Sequence, residues 1–420
     1  MAQKQILLNA FNLNSVGHIH HGLWTHPQDR SIFFNDLDYW TDIAKTLERY
    51  LFDGIFIADG HGYHDIYKDN IDITLKEAVQ LPKNDPWTLV SAMAAVTKHL
   101  GFGITATVRA ENPYAFARRV SSLDHLTKGR IGWNIVTGYR DKDVNGLGYD
   151  KLEPHDERYD RADEFLEVVY KLWEGSWADD AVAADRKNRI YARPERVRAI
   201  EHNGKYYRSN AVHGSSPSLQ RTPVLFQAGA SERGSAFAGK HAEGAFISAP
   251  TIERARELAR KIRQAAVDAG RKAEDVKIFA GLAAVPAATE KVAQEKYKEY
   301  LKYANPEANL VHFAGSTGID FSKFDLDAPI DYSANNHIQS IADYAAQKHS
   351  TLRDLLRENA FSPYHTIVGD GSQVADELIK WIDEGELDGI NLSRVVVPGT
   401  WEDFGQLVIP ELQNRGRFKT

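Results

Sequence analysis

Short apolar runs alternate with longer segments of helical periodicity along almost the whole chain. Continuous apolar runs predict buried strands, and apolar residues that recur every three or four positions predict amphipathic helices. The predicted strands are 5–11, 53–59, 101–108, 130–138, 223–229, 244–250, 276–285 and 389–399. The predicted helices are 36–52, 85–100, 112–129, 155–175, 231–243, 252–269, 288–303, 371–385 and 400–415. Strands that alternate with helices of this length predict a parallel sheet in an α/β fold.

The number of strand–helix units predicts how this sheet is closed. Eight units are typical of a TIM (β/α)8 barrel, in which functional residues follow the C-terminal ends of the strands. A doubly wound open sheet is the alternative, but it usually has fewer units and a glycine fingerprint after its first strand. The stretch NAFNLN (9–14) contains no such fingerprint. We therefore expect a single barrel domain that spans 1–420.

Three stretches interrupt the repeat, at about 60–84, 176–222 and 304–363. Each follows a predicted strand or helix, so we interpret all three as loop insertions rather than as separate domains. The first and the third are expected to cover the mouth of the barrel, where the chemistry of such folds takes place.

Composition and charge narrow the classes of protein to consider. The net charge is −7 and there is no long basic run, so nucleic acid is not an expected partner. The chain has no cysteine, which excludes disulfides, iron–sulfur clusters and thiol catalysis. The N-terminus lacks a basic segment followed by a long apolar core, and no apolar run approaches the length of a membrane span. These features predict a cytoplasmic enzyme without a membrane association.

The stretch HIHHGLWTH (18–26) places four histidines shortly after the first predicted strand. Histidines here could bind a metal, hold a substrate or an oxygen adduct, or be exposed loop residues. A metal-dependent hydrolase needs further ligands after the middle strands and an aspartate near the last strand. The strand ends WNIVTG, LFQAG, AFISAP and NLSRVVVPG contain none of these ligands, so no metal site is predicted.

Polar residues end the second and the fourth predicted strands. Asp59 ends strand two in FIADGHG, where a carboxylate could accept a hydrogen bond from the N–H of a heterocycle. Asn134 and Thr137 end strand four, whose other residues are apolar. An asparagine can serve both donors and acceptors along the edge of a flat ring. Capping of the following loops is the alternative role for these side chains.

Two neighbouring helix starts predict a phosphate site. One helix begins after strand four and the other after strand five, and in a barrel these helices are adjacent. Free N–H groups at helix starts bind anions. The predicted clamp residues are His155, Arg158, Tyr159, Ala230 and Ser231. A phosphorylated planar cofactor would suit this end of the barrel, either flavin mononucleotide (FMN) or pyridoxal phosphate, although no lysine lies at a predicted strand end to form a Schiff base.

Longer stretches resemble the bacterial-luciferase-like flavin monooxygenases, in particular their two-component branch, typified by nitrilotriacetate monooxygenase. The stretches are LERYLFDGIFIADG (47–60), SAMAAVTKHLGFGITAT (91–107), ARRVSSLDHLTKGRIGWNIVTG (117–138), HDERYDRADEFLEVVYKLWEGSW (155–177), PVLFQAGASERGSAFAGKHAEG (223–244) and STGIDFSKFDLDAPI (316–330). Within this branch the chain is most similar to members that oxidise dimethyl sulfide. The resemblance implies a luciferase-like TIM barrel and a homodimer or homotetramer. It also implies reduced FMN, supplied by a separate NAD(P)H:FMN oxidoreductase, and O2 as co-substrate for oxygenation of a small molecule.

The same resemblance implies roles for individual residues. Those expected to bind the flavin are Asp59, Thr105, Asn134 and Thr137 toward the ring and ribityl chain, and His155, Arg158, Tyr159, Ala230 and Ser231 at the phosphate end. His18 and His21 are expected to be catalytic and to face the flavin–oxygen adduct.

Two positions depart from the pattern of the sulfone-cleaving relatives, which have a serine where this chain has Gly138 and a histidine where it has Ser316. Sulfone cleavage is therefore not expected. The sequence predicts an FMNH2-dependent monooxygenase of a small organic substrate, with organosulfur compounds as candidates. The alternatives are a metal-dependent hydrolase and a flavin-binding relative without turnover.

Overall fold

The structure of the protein, a computed structural model, describes residues 4–229, 231–323, 325, 327, 351 and 361–420. The predicted phosphate residue Ala230 lies outside the described residues. So does most of the predicted insertion 304–363 beyond residue 323, together with part of the stretch 316–330.

The described strands form one large parallel sheet and two small hairpins. In chain order they are β1 (Leu7–Leu13), β2 (Gly54–Ala58), β3 (Gly101–Thr107), β4 (Ile131–Val136), β5 (Val182–Asp185), β6 (Ile190–Ala192), β7 (Ile200–Asn203), β8 (Arg208–Ala211), β9 (Val224–Ala228), β10 (Gly244–Ile247), β11 (Lys277–Ala287), β12 (Thr366–Asp370) and β13 (Gly389–Ser393). The barrel runs β1-β2-β3-β4-β9-β10-β11-β13 and closes because β13 pairs in parallel with β1, with Leu7 opposite Gly389. The predicted TIM barrel is confirmed.

One strand of the large sheet, β12, is absent from the sequence-based prediction. It pairs in parallel with the second half of β11, where Ala283 lies opposite Thr366. The first half of β11 (279–282) pairs with β13, so β12 lies outside the ring of eight. β12 is only 5 residues long and passes directly into the next helix. Its apolar pattern is therefore too short to distinguish it from the end of an insertion.

Helices surround the barrel in the predicted alternation. The described helices are α1 (Leu37–Arg49), α2 (Asp72–Lys76), α3 (Val90–Ala95), α4 (Pro113–Thr127), α5 (Lys142–Asn145), α6 (His155–Tyr170), α7 (Glu232–His241), α8 (Ile252–Asp268), α9 (Glu290–Leu301), α10 (Pro306–Thr317), α11 (Gly371–Glu384), α12 (Gly399–Asp403) and α13 (Ile409–Asn414). A π-helical turn, Lys171–Gly175, extends α6 to the predicted end of that helix. In the described part of the chain, no helix combines the length and the apolar character that crossing a membrane requires.

The predicted helix 85–100 is shorter than its pattern suggests. Asp85 caps its start as expected, since the Asp85 side chain accepts a hydrogen bond from the Trp87 N–H at 2.9 Å. A 3-10 turn and α3 follow, and α3 ends at Ala95. The Glu48 carboxylate accepts hydrogen bonds from the backbone N–H groups of residues 98–100, at 2.7 to 3.0 Å. These N–H groups are bound by a side chain of α1, so the helix does not extend through them.

The insertions 60–84 and 304–363 pack against each other. Leu310 and Ala314 of α10 form an apolar cluster with Ile66 and Tyr67 from the insertion after β2. The Lys68 ammonium lies 2.8 Å from the Glu307 carboxylate across the same contact. The insertion 176–222 differs, because it folds into the antiparallel hairpins β5–β6 and β7–β8.

Aromatic side chains fill the barrel interior. The Phe226 and Phe246 rings stack with centroids 5.3 Å apart, and the Phe56 and Phe246 centroids are 4.1 Å apart. A Cβ at Gly132 would lie 2.7 Å from the Phe226 ring, and one at Gly244 only 2.4 Å from it. Glycines in the strands therefore make room for large rings, and the interior is a packed core rather than a channel.

Candidate active site

Thr105 and Asn134 form a polar pair on adjacent barrel strands. They lie opposite each other in the parallel pairing of β3 and β4, and both are buried. The Asn134 Nδ2 donates to the Thr105 Oγ1 at 3.0 Å. The Asn134 Oδ1 is buried and has no hydrogen-bond partner among the described residues. A buried acceptor without a partner is costly unless something else donates to it, so this oxygen is available to a bound molecule.

Asp59 follows β2 in a half-buried position. Burial raises the pKa of its carboxyl group, and the nearby Lys83 ammonium acts in the opposite direction. The Lys83 Nζ donates to the Gly62 carbonyl at 2.7 Å, and burial lowers the pKa of Lys83 to about 8. Burial therefore moves the pKa values of Asp59 and Lys83 toward neutral pH.

Ser231 and His155 bring the starts of α7 and α6 together. The Ser231 Oγ accepts a hydrogen bond from the Gly234 N–H at 3.0 Å and so caps α7. The same oxygen lies 3.3 Å from the His155 Nε2 at the first residue of α6. The structure thus places the two predicted helix starts side by side.

Tyr159 connects this cluster to the end of β4. Its buried hydroxyl lies within hydrogen-bonding reach of the Ser231, Thr137 and Gln227 side chains. The Gln227 Nε2 donates to it at 3.4 Å. A Cβ at Gly234 would lie 2.8 Å from the Tyr159 hydroxyl, so a glycine is needed where α7 approaches this tyrosine.

Gln227 and Arg158 supply further polar atoms around Tyr159. The Gln227 Oε1 is buried without a partner in the described chain. The Arg158 guanidinium donates to the Gly138 carbonyl through Nη1, while its Nε is buried and no described atom accepts from it. Sequence analysis missed Gln227, although a glutamine in the otherwise apolar strand PVLFQAG was a usable signal.

The histidines of the stretch 18–26 are buried. His18, His20, His21 and His26 are 3%, 5%, 1% and 4% exposed, so the alternative of exposed loop residues is wrong. Aromatic rings cover them: Phe11 lies against His18 with centroids 4.4 Å apart, for example. Burial lowers the pKa of His18 and of His21, and it lowers that of His20 to about 3. His18, His20 and His21 are therefore neutral at neutral pH.

His312 contacts His21 but was missed by sequence analysis. It lies on α10, in the predicted insertion 304–363, and its Nδ1 is 2.9 Å from the His21 Nε2. Burial lowers the pKa of His312 to about 4, and the positive charges of Arg140 and Lys83 act in the same direction. A lone histidine in the apolar stretch NLVHFAG was the available signal.

Gln80 and His64 complete the histidine cluster. Both come from the insertion after β2. The Gln80 amide lies 3.3 Å from His64, 3.4 Å from His312 and 3.0 Å from the His18 carbonyl. The His64 and His312 ring centroids are 4.9 Å apart. Four polar side chains from three separate segments therefore meet beyond the end of β1.

Asp143 ties the loop after β4 to the loop after β2. Its carboxylate accepts hydrogen bonds from the Gly62 N–H at 2.9 Å and from the Arg140 Nη2 at 3.0 Å. The Arg140 Nη1 in turn lies 3.5 Å from the His64 Nδ1. This ion pair holds a cation beside the histidines and helps to keep them neutral.

The site residues lie within the C-terminal halves of barrel strands or in the segments that follow these strands. The chain matches the family model described as luciferase-like monooxygenase over residues 14–385. The chain belongs to the luciferase-like monooxygenase family. Its relatives are named monooxygenases, and it is accordingly a flavin-dependent enzyme of the two-component type.

Three relatives of this luciferase-like monooxygenase align with nearly its whole length. Dimethyl-sulfide monooxygenase from Hyphomicrobium sulfonivorans is 47% identical over 99% of this chain and 88% of its own, and a crystal structure from that organism superposes with a TM-score of 0.93 over 99% and 90% of the two chains. Long-chain alkane monooxygenase from Geobacillus thermodenitrificans is 45% identical over 99% of this chain and 91% of its own. A crystal structure of riboflavin lyase with modified FMN and riboflavin is 38% identical over 99% and 93% of the chains, with a TM-score of 0.92.

The hydrolase alternative requires a group of side chains that bind a metal ion. Within the residues that the structure covers, no group of three or more histidine, aspartate or glutamate side chains is arranged to hold a metal ion. The family match leaves the hydrolase alternative without support. Of the two departing positions, Gly138 accepts a hydrogen bond from Arg158, and the Ser316 Oγ donates to the His312 carbonyl at 2.9 Å within α10.

Proposed function

We propose that this luciferase-like monooxygenase uses FMNH2, delivered by a separate NAD(P)H:FMN oxidoreductase, and O2 to oxygenate a small organosulfur compound. The observation that carries the FMN assignment is the cluster of Ser231, His155 and Tyr159 at two adjacent helix starts. Thr137 links this cluster to the Thr105–Asn134 pair, because it follows β4 and its side chain reaches Tyr159.

The cluster at the two helix starts has the chemistry of a phosphate site. The hydroxyls of Ser231 and Tyr159 and the His155 imidazole can all donate hydrogen bonds, and the free N–H groups and dipole of α7 favour an anion. The Arg158 Nε is a further buried donor without a described partner. These groups would hold the phosphate of FMN. A single compact cluster with no dinucleotide fingerprint favours FMN over flavin adenine dinucleotide.

The polar residues at the strand ends suit the rest of the cofactor. The Asn134 Oδ1 and the Gln227 Oε1 are orphaned acceptors, and flavin offers ring N–H and ribityl hydroxyl donors. Thr105 and Asp59 lie at the neighbouring strand ends. We assign Asp59, Thr105, Asn134 and Thr137 to the ring and ribityl chain, and this assignment extends to Gln227.

The histidine cluster is assigned to the oxygen chemistry. When bound, reduced FMN supplies the two electrons that activate O2, so that one oxygen atom enters the substrate and the other leaves as water. His18 and His21 are neutral and buried, and each can act as a hydrogen-bond donor without carrying a charge. The packing of Phe11 against His18 and of α10 against the insertion after β2 excludes water from this end.

The organosulfur assignment rests on similarity rather than on a described contact. The Hyphomicrobium relative, which is named for dimethyl sulfide, is 47% identical over nearly the whole chain. The relative named long-chain alkane monooxygenase is 45% identical, so long-chain alkanes are the second class to test.

The experiment mixes anaerobic, photoreduced FMN and the purified protein with 18O2 and either dimethyl sulfide or a long-chain alkane. We expect one labelled oxygen atom in a product of dimethyl sulfide, detected by mass spectrometry, either on sulfur in a sulfoxide or on carbon in the aldehyde that is released when the C–S bond breaks. Photoreduction replaces the reductase, so the result does not depend on identifying that partner. Labelled alcohol from the alkane alone would contradict the organosulfur assignment. Consumption of O2 only to hydrogen peroxide with every substrate would contradict the oxygenase proposal for these compounds.

A further inference from the structure

The Gln80 amide contacts the buried rings of His64 and His312 and the backbone carbonyl of His18, and it can be oriented in only one way. The Gln80 Nε2 is 3.0 Å from the His18 backbone carbonyl. A carbonyl oxygen only accepts hydrogen bonds, so the atom that faces it must be the NH2 group of the amide. The Gln80 Oε1 then points to the other side, where His64 lies.

This orientation determines which nitrogen of His312 carries its proton. The second N–H of the Gln80 Nε2 faces the His312 Nε2 at 3.4 Å, so the His312 Nε2 must accept. His312 is neutral because burial lowers its pKa to about 4. A neutral imidazole that accepts at one nitrogen is protonated at the other. The proton of His312 is therefore on Nδ1.

The contact with His312 determines the tautomer of His21. The His312 Nδ1–H lies 2.9 Å from the His21 Nε2, which must accept. Burial keeps His21 neutral as well, so its proton is on Nδ1. The His21 Nδ1 is buried, and it has no hydrogen-bond partner in the part of the chain that the structure describes. His21 thus presents a buried N–H donor that no described residue accepts from.

His64 lies at the other end of the same amide. The Gln80 Oε1, which only accepts, and the Arg140 Nη1, which only donates, both lie 3.3 Å from the His64 Nε2. The Arg140 Nη1 is also 3.5 Å from the His64 Nδ1. These contacts place opposite demands on the His64 Nε2, so the amide determines the tautomers of His312 and His21 but not that of His64.

Gln80 has an unusual backbone conformation that its surroundings must hold in place. Its φ of 54° lies in the left-handed region, which is strained for a residue with a side chain and needs support from its surroundings. The neighbouring loop provides close packing, because a Cβ at Gly17 would lie 2.1 Å from the Ala78 carbonyl.

We propose that Gln80 is a positioning residue that sets the tautomers of His312 and His21, and so makes the His21 Nδ1–H available as a neutral hydrogen-bond donor. That this donor serves oxygen chemistry rests on the proposed function. The tautomers themselves do not depend on that function. A neutral donor is what this site requires, since a histidine that is not protonated at neutral pH cannot act as an imidazolium acid.

The test uses protein labelled with 15N in its histidines, without flavin, and long-range 1H–15N correlation spectra at neutral pH. His21→Asn and His312→Asn variants assign the signals. In the unsubstituted protein we expect protons on the Nδ1 of both His21 and His312. Gln80→Glu replaces the NH2 donor with an acceptor, so the His312 Nε2 must donate to it. We expect the proton of His312 to appear on Nε2, and His21 to switch to its Nε2–H tautomer when His312 remains neutral.

A second variant and a matched control make the result decisive. Gln80→Leu removes both halves of the amide, and we expect His312 and His21 to lose their single tautomers. Gln413→Glu makes the same exchange at a half-buried glutamine that donates to the Lys419 carbonyl at 2.8 Å, and it should leave these signals unchanged. A proton on the Nε2 of His312 in the unsubstituted protein would overturn the inference. So would unchanged His312 and His21 tautomers in both Gln80 variants.

An activity measurement connects the tautomers to function. With photoreduced FMN, Gln80→Glu should lower product formation on the order of 10²-fold, the size of effect seen when one preorganised donor is removed, while its affinity for FMN stays unchanged. If the unsubstituted protein oxygenates no substrate, the proposed function fails but the spectra still decide the tautomers. If the tautomers do not respond to Gln80, the inference fails while the oxygenase assignment stands.

Discussion

Replacing Ser231 with aspartate tests the phosphate site with little disturbance of the fold. Ser231 caps α7 through its Oγ, and aspartate is an equally good cap at such a position. The variant Ser231→Asp therefore keeps the helix start and adds one negative charge at the position of the Ser231 Oγ, which lies 3.3 Å from the His155 Nε2. Ser231→Asn is the matched control, because asparagine has the same shape and capping ability but no charge.

The magnitude follows from Coulomb's law and the exposure of the site. Two unit charges about 4 Å apart interact with about 1 kcal/mol in water and about 4 kcal/mol at the dielectric typical of a protein surface. A phosphate carries a charge of about −1.5 to −2 at neutral pH. Ser231 is exposed while Tyr159 is buried, so the site lies between these limits. We expect a loss of about 2–4 kcal/mol, which raises the FMN dissociation constant about 30- to 1,000-fold.

Titration with FMN and with riboflavin separates this effect from general damage. Riboflavin has no phosphate, so Ser231→Asp should bind it about as well as the unsubstituted protein does, and Ser231→Asn should bind both ligands nearly normally. Circular dichroism checks that the fold is retained. Equal loss of FMN affinity in the aspartate and asparagine variants would refute the electrostatic reasoning. Equal loss of FMN and riboflavin affinity in Ser231→Asp would mean that the phosphate lies elsewhere.

Four further predictions concern the two ends of the site and the buried histidines. His18→Ala and His21→Ala should lower the ratio of oxygenated product to hydrogen peroxide by about 10²–10³-fold, the size of effect seen when one preorganised hydrogen-bond donor is removed, and an unchanged ratio would show that neither residue takes part in the oxygen chemistry. The protein should bind FMN more tightly than flavin adenine dinucleotide, and reduced FMN more tightly than oxidised FMN; titrations that give equal affinities would contradict the single-phosphate argument. Activity should survive treatment with strong chelators, and its loss together with a stoichiometric metal would revive the hydrolase alternative. Burial lowers the pKa of His312 and of His213 from 6.5 to about 4, so between these pH values the unfolded chain binds more protons than the folded protein. The free energy of unfolding should therefore fall on acidification by up to about 3 kcal/mol per histidine. Urea unfolding at pH 7 and pH 5 measures this fall, and His213→Gln should reduce it.

Local patterns in the sequence determine the barrel and one end of the site. Strands and helices are encoded by the spacing of apolar residues, and eight alternating units leave few ways to bury them. The meeting of Ser231 with His155 and Tyr159 follows from the same logic, because consecutive strands of a barrel place their following helices side by side. Asn134 is predictable for the same reason, since a polar residue at the end of an apolar strand of a barrel faces its mouth or its interior, whereas Thr105 was expected only from the family resemblance.

Only the tertiary structure decides the histidine end of the site. His312 is 291 positions from the His21 that it contacts, and Gln80 is 62 positions from His18. All of these side chains belong to loops and insertions, whose paths are set by packing of α10 against Ile66 and Tyr67 rather than by any local period. The strand β12 is a similar case, since its five residues form a strand only because they pair with the second half of β11. Periodicity specifies which residues are buried within an element, whereas the contacts between distant loops depend on how those elements pack.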